Sequence, residues 1–168
     1  TLFRLDLYRI CTLCDGRFDL SKAKTDGIDF SKYKIVKELD FAYNPSRINL
    51  GSIALRKGSN CIISPMYVVF GLKPNAKHIL MHDYLFLWFM RSEFQRSTLF
   101  YASGSVRDTF SFDEMCRVRI PLPPPDVQKS IVALHKCAEE ARSIATEARE
   151  TLRKMCPAMV QRAAHDIR

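Results

Sequence analysis

The sequence predicts a mixed α+β domain over residues 1–122, followed by one long coiled-coil α-helix over residues 123–168. Before residue 120 the apolar residues come in short clusters separated by turn signals; after residue 126 they recur every three or four positions. Between the two regimes stands Ile120-Pro121-Leu122-Pro123-Pro124-Pro125. Proline fixes extended backbone and removes N–H donors, so this run fits neither a helix interior nor a central strand, and the domain boundary belongs there.

In the first region Tyr33 to Val36, Ser52 to Leu55, Cys61 to Ile63 and Tyr67 to Phe70 read as strands, with Gly51, Gly58, Gly71 and Pro74-Asn75 as the breaks. A helix is expected from Asp83 to about Gln95, capped by Asp83 and apolar on too wide a surface for solvent, hence a core helix. Ser111-Phe112-Asp113-Glu114 has capping-box spacing and predicts a short helix ahead of a strand from Arg117 to Ile120.

In the second region Val127, Ile131, Leu134, Ala138, Ala141, Ala145, Ala148, Leu152 and Met155 follow alternating intervals of four and three, the spacing of a heptad seam. The intervening positions are largely charged or polar, which predicts one helix from about Asp126 to Cys156, ended by Pro157 and roughly 45 Å long. Such a stripe needs a second helix to cover it. The four alanines leave little side-chain volume, so a partner backbone must come close. The alternative is a helix folded back over its own domain, which Val132 and Ile144, off the seam, would serve.

The chain has 168 residues and a net charge of +8, from 26 Lys and Arg against 18 Asp and Glu. That length is one domain, or one modest domain with an appendage. The densest apolar stretch, Tyr84 to Met90, is far shorter than the ~20 residues that cross a bilayer. Arg4, Asp6 and Arg9 interrupt the N-terminal apolar residues, so no signal-peptide core forms there, and a cytoplasmic location is expected. Beginning at Thr1 rather than Met, the chain also fits a piece of a longer protein. Six scattered cysteines argue for reduced thiols over a disulfide framework. The basic excess falls mostly on the first region and suits a polyanion, nucleic acid being the commonest, or else a solvated surface with no partner.

Catalytic and metal motifs are weak. Cys11-Thr12-Leu13-Cys14 is half a zinc site without a second pair, and His78 and His82 lack the Glu of a zinc protease, so neither metal nor cofactor is expected. Ser103-Gly104-Ser105 is not a nucleophile elbow, there is no phosphate-binding glycine loop, and Asn44-Pro45-Ser46 departs from the Asn-Pro-Pro-aromatic tetrad of adenine methyltransferases. No acidic cluster supports a nuclease. An enzyme is not expected.

Two stretches carry recognition chemistry. Phe41 to Ala54 places Arg47 and Asn49 around a turn between apparent strands, and Tyr101 to Asp108 is a small-residue loop with Ser103, Ser105 and Arg107. Arg forks onto guanine O6 and N7, Asn onto adenine N6 and N7, and both bind phosphate. The alternative for each residue is a polar turn bonding its own backbone.

Taken in order, YNPSRINLGSIA, ISPMYVVF, DYLFLWFMRS, ASGSVRDTFSFDEMCRVRIPLPPP and a Gln opening a long helix resemble the DNA specificity subunits of type I restriction-modification systems. The match runs from about Tyr33 to Ala138, as one target recognition domain and one helical spacer. The family usually has Pro-Pro-x-x-Glu-Gln at the boundary; here Gln128 is kept and Val127 stands where Glu is expected.

The resemblance implies a non-catalytic subunit that reads double-stranded DNA. A complete subunit carries two recognition domains, each reading half of a split sequence, joined by two antiparallel helices around which methyltransferase subunits dock and a restriction translocase can join. This chain holds half of that plan, so it is expected to be a homodimerising half-subunit or an excised fragment. On the first turn Arg47 and Asn49, and on the second Ser103, Ser105 and Arg107, are the expected DNA contacts, with Arg56 and Lys57 on phosphates.

Overall fold

Strand β4 (Phe41–Tyr43) lies between two hydrophobic clusters, because successive side chains of a strand point to opposite faces. Phe41 and Tyr43 join Ile48, Ile53, Leu85, Phe89, Phe94, Phe110 and Met115 in one cluster. Ala42 joins Val36, Cys61, Ile63 and Tyr67 in the other. The computed structural model describes residues 9–14, 16–20, 29–102 and 109–165, and gives only the backbone path of 9, 10, 14, 20, 101, 102 and 156–165. Two compact units divide the chain, 1–128 and 129–168. The proline run and the first turn of the long helix go with the first.

Among the described residues, seven strands make two sheets. In the four-stranded sheet, β1 (Arg9–Cys14) pairs antiparallel with β2 (Arg17–Leu20) and parallel with β6 (Cys61–Ile63), which pairs antiparallel with β3 (Lys34–Val36). In the three-stranded sheet, β4 is flanked antiparallel by β5 (Ile53–Leu55) and β7 (Val68–Phe70), with Ala42 opposite both Ala54 and Val69. The four strands expected from the sequence are therefore present as β3, β5, β6 and β7. The turn after Phe41-Ala42-Tyr43 does join two strands.

Among the described residues four α-helices follow, α1 (His82–Phe89), α2 (Ser92–Ala102), α3 (Phe112–Arg117) and α4 (Pro125–His165). The single helix expected from Asp83 to Gln95 is two. Met81 holds the N-cap position and Asp83 lies in the first turn. In an unbroken helix Phe89 and Phe94, five residues apart, would face different ways. The break after Met90 brings their rings to 5.1 Å and sets Trp88 5.1 Å from Phe94. Helix α3 begins as its capping box specified, with Ser111 Oγ accepting from the Glu114 N–H and the Glu114 carboxylate accepting from the Ser111 N–H.

The strand expected over Arg117 to Ile120 does not form. Arg117 ends α3, and the extended residues after it put Val118 and Ile120 against the aromatic cluster instead of into a ladder. The long helix also outruns its expected stop. Its backbone stays helical through Pro157 to His165, giving 41 residues and a length of roughly 60 Å. Proline forfeits one main-chain hydrogen bond, and the bonds on either side carry the helix past it.

Gln128, fully buried in the first turn of α4, ties that turn down. Its Oε1 accepts from the Met81 N–H at 2.9 Å, while Nε2 donates to the Ile79 carbonyl at 2.7 Å and the Pro123 carbonyl at 2.8 Å. Every one of these partners is backbone, so no neighbouring substitution replaces the bond. Leu at this position would fit the volume and orphan all three groups at about 1–3 kcal/mol each. Partial rehydration reduces the total, and Gln128→Leu is expected to destabilise the first unit by roughly 3 kcal/mol. Urea unfolding followed by fluorescence of the single tryptophan, Trp88, measures it.

Candidate nucleic-acid interface

The turn from Asn44 to Ser52, which joins β4 to β5, is built by its own polar groups. Asn44, buried, accepts at Oδ1 from the Ser46 N–H at 3.0 Å and donates its backbone N–H to the Ser52 carbonyl at 2.9 Å. The Arg47 carbonyl accepts from the N–H groups of Leu50 and Ser52, and Ile48–Leu50 forms a 3-10 turn. Ile48 plugs this turn into the core. Gly51 closes it at φ +77°, a left-handed position where an added Cβ would meet Gln95 Nε2 of α2 at 2.9 Å.

With the backbone so occupied, the side chains at the tip are left facing out. Ser46 and Arg47 are exposed, Asn49 is half-buried, and Arg47 makes no side-chain cap to the 3-10 turn it precedes. The alternative role for Arg47, bonding its own turn, is taken by Asn44. The guanidinium therefore presents its donors outward from a rigid base.

Ser103, Ser105 and Arg107 lie outside the described residues. The residues on either side of them return to this same turn. Helix α2 packs on the 3-10 turn, and past the gap Phe110 donates its N–H to the Pro45 carbonyl at 3.0 Å. The Phe110 carbonyl accepts from the Tyr43 hydroxyl at 3.2 Å, with the rings of Tyr43 and Phe110 6.3 Å apart. Burial, then the nearby Glu114 and Cys116, raise the Tyr43 pKa well above the ordinary phenol value, so the hydroxyl stays a donor.

Arg56 and Lys57 follow β5 and sit at the other end of the β4–β5 hairpin from Arg47 and Asn49, roughly 10 Å away along three residues of strand. Arg56 donates from Nε to the Ser59 carbonyl at 2.8 Å and lies over the Phe18 ring, 5.4 Å from its centre. Lys57 pairs with Asp83 at 2.5 Å. The expected contacts thus divide between two ends of one hairpin. Arg17, which lines a cavity with Arg56, carries no signal in the sequence, and Gln128 is signalled there only by its retention in the boundary motif.

Among the described residues no three His, Cys, Asp or Glu side chains converge as a metal site, and no helix is long and apolar enough to cross a membrane. Cys11, Cys61, Cys116 and Cys137 are not in disulfides. Burial and the neighbouring Cys11 push the Cys61 thiol up to about 12.

The family model described as Type I restriction modification DNA specificity domain matches residues 8–140. The chain belongs to this family. Specificity domains are non-catalytic components of type I restriction-modification complexes, and membership implies association with DNA and with other subunits of those systems. No match was found among curated proteins. In this specificity domain the matched span takes in both sheets, α1 to α3 and the first part of α4.

Gly51→Ala strains the turn, because a Cβ at positive φ costs roughly 1–2 kcal/mol and this one also meets Gln95. A loss of that size in urea unfolding is expected, together with faster amide exchange at Leu50 and Ser52. Unchanged exchange there would show that the turn does not depend on Gly51.

Proposed function

We propose that this specificity domain works as a half-subunit: it reads one half of a bipartite DNA target and pairs through α4 with a second copy, which reads the other half. The observation that carries the reading half is the outward-facing Arg47 on a turn whose backbone is bonded internally and clamped to Phe110. Arg47 and Asn49 meet base edges, joined by Ser103, Ser105 and Arg107 from the segment that ends beside Phe110. Arg56 and Lys57 meet phosphates.

For the pairing, the support is the seam itself. Ile131, Leu134, Leu152 and Met155 are exposed along one stripe of α4, with Ala138, Ala141, Ala145 and Ala148 between them. Two such helices side by side bury the stripe and set the spacing of the two heads. A helix of this length exceeds the ~34 Å of one DNA turn, enough for heads in successive major grooves. Methyltransferase subunits dock around the paired helices, and a translocating restriction subunit joins them.

Selection of duplexes from a random library, with the methyltransferase subunit present, tests the reading. A split motif with two-fold symmetry is the expected product; uniform recovery would indicate a basic assembly protein without base preference. Arg47→Ala should relax the motif at one base pair in each half and cost about 1–3 kcal/mol of discrimination there. Ala141→Glu places a charge where two backbones come close, and light scattering should show the mass of the full-length protein fall by half. An unchanged mass would refute the paired helices.

A further inference from the structure

A cavity of about 320 Å³ opens beside the open end of the β4–β5 hairpin, away from the reading turn. Arg17, Arg56 and Lys57 line it, over a floor of Phe18, Leu55 and Phe86. Asp83 offsets one charge through Lys57, which leaves an excess of two positive charges. Arg17 is exposed and has no ion pair among the described residues.

The site is held in shape before any ligand arrives. Gly16 turns the chain from β1 into β2 at φ +75°, so close to α1 that an added Cβ would lie 2.9 Å from the Met90 methyl. On the far wall Arg56 is fixed by the Ser59 carbonyl and the Phe18 ring. Leu39 and Asp40 brace the same residue through backbone bonds to its carbonyl and N–H. Two guanidinium groups and an ammonium at the mouth with an apolar floor match a phosphate carried on a sugar and base.

We infer that this cavity holds a phosphate of the DNA backbone at the edge of the read groove, with Arg17 as its principal uncommitted ligand. The inference rests on the DNA-reading role proposed above. The hairpin supplies the spacing: three residues of strand put Arg47 at one end roughly 10 Å from Arg56 at the other, close to the ~12 Å width of a major groove. A turn in the groove therefore leaves the cavity beside a flanking strand. A free nucleotide presents the same phosphate chemistry and is the other source to be distinguished.

The test compares the full-length protein with Arg17→Glu and Arg17→Lys, after thermal melts show all three folded. Binding to the selected duplex and to an unrelated one is titrated from 50 to 300 mM salt, roughly the range over which phosphate contacts dominate. Arg17→Glu is expected to make the slope of log K against log salt shallower by about 0.9 per phosphate lost. It should weaken both duplexes by the same factor, leave the selected motif unchanged, and be rescued in part by Arg17→Lys. An unchanged slope, with the motif still selected by the unaltered protein, overturns the backbone assignment while leaving the reading role intact.

Thymidine monophosphate, titrated by NMR, is the second arm. Saturable binding abolished by Arg17→Glu, with the DNA slope unchanged, assigns the cavity to a free nucleotide. No binding in either arm overturns the site. Failure of the unaltered protein to select any DNA refutes the reading role, and the nucleotide arm then decides the cavity alone.

Discussion

The backbone of one residue, Phe110, ties the candidate recognition face together. Its N–H ends on Pro45 and its carbonyl receives the Tyr43 hydroxyl, 67 residues away along the chain. Its ring fills the core between Tyr43 and Phe94. Tyr43 is itself on β4, whose two faces feed both hydrophobic clusters. The turn that carries Arg47 is thereby anchored to the most buried part of the domain, and a buried, protonated phenol is a dependable donor. A mobile Arg would lose side-chain and loop entropy on binding; a fixed turn has lost the backbone share already.

Much of this was legible in the sequence where the signal is local. The capping box at Ser111, the strands from Lys34 to Phe70 and the start of α4 all depend on neighbours within a few residues. The N-terminal hairpin of β1 and β2 has a local signature too. In the sequence an Asp-Gly pair stands just before Arg17, the dipeptide that favours a two-residue hairpin loop, and the register pairs Cys14 with Arg17. The Cys-x-x-Cys spacing in the same stretch points to metal chemistry instead. The parallel pairing of β1 with β6 joins segments some fifty residues apart and has no local signature.

The failures elsewhere also have physical causes. Helical periodicity across 83–95 could not show that ring packing between Phe89 and Phe94 outweighs helix continuity. Pro157 is a stop signal by residue type, although a helix of 41 residues tolerates one lost hydrogen bond. Gln128 was visible as part of a boundary motif, but its partners are three backbone groups, and no residue type at 79, 81 or 123 announces them. Arg17 and Arg56 meet only because β2 folds beside β5.

The proposed roles divide between the two ends of the β4–β5 hairpin. The internally bonded turn at one end of the hairpin suits base discrimination, which depends on fixed donor geometry, and the cationic cavity at the other suits phosphate, which demands less direction and supplies affinity. The most direct measurement is photo-crosslinking from a benzophenone side chain substituted for Ser46, next to Arg47, in a complex with the selected duplex. Crosslinks mapping to bases inside one half-site are the predicted result. A complex that forms normally while this probe leaves the duplex untouched, or reaches only DNA outside the motif, would contradict the turn's place at the recognition face.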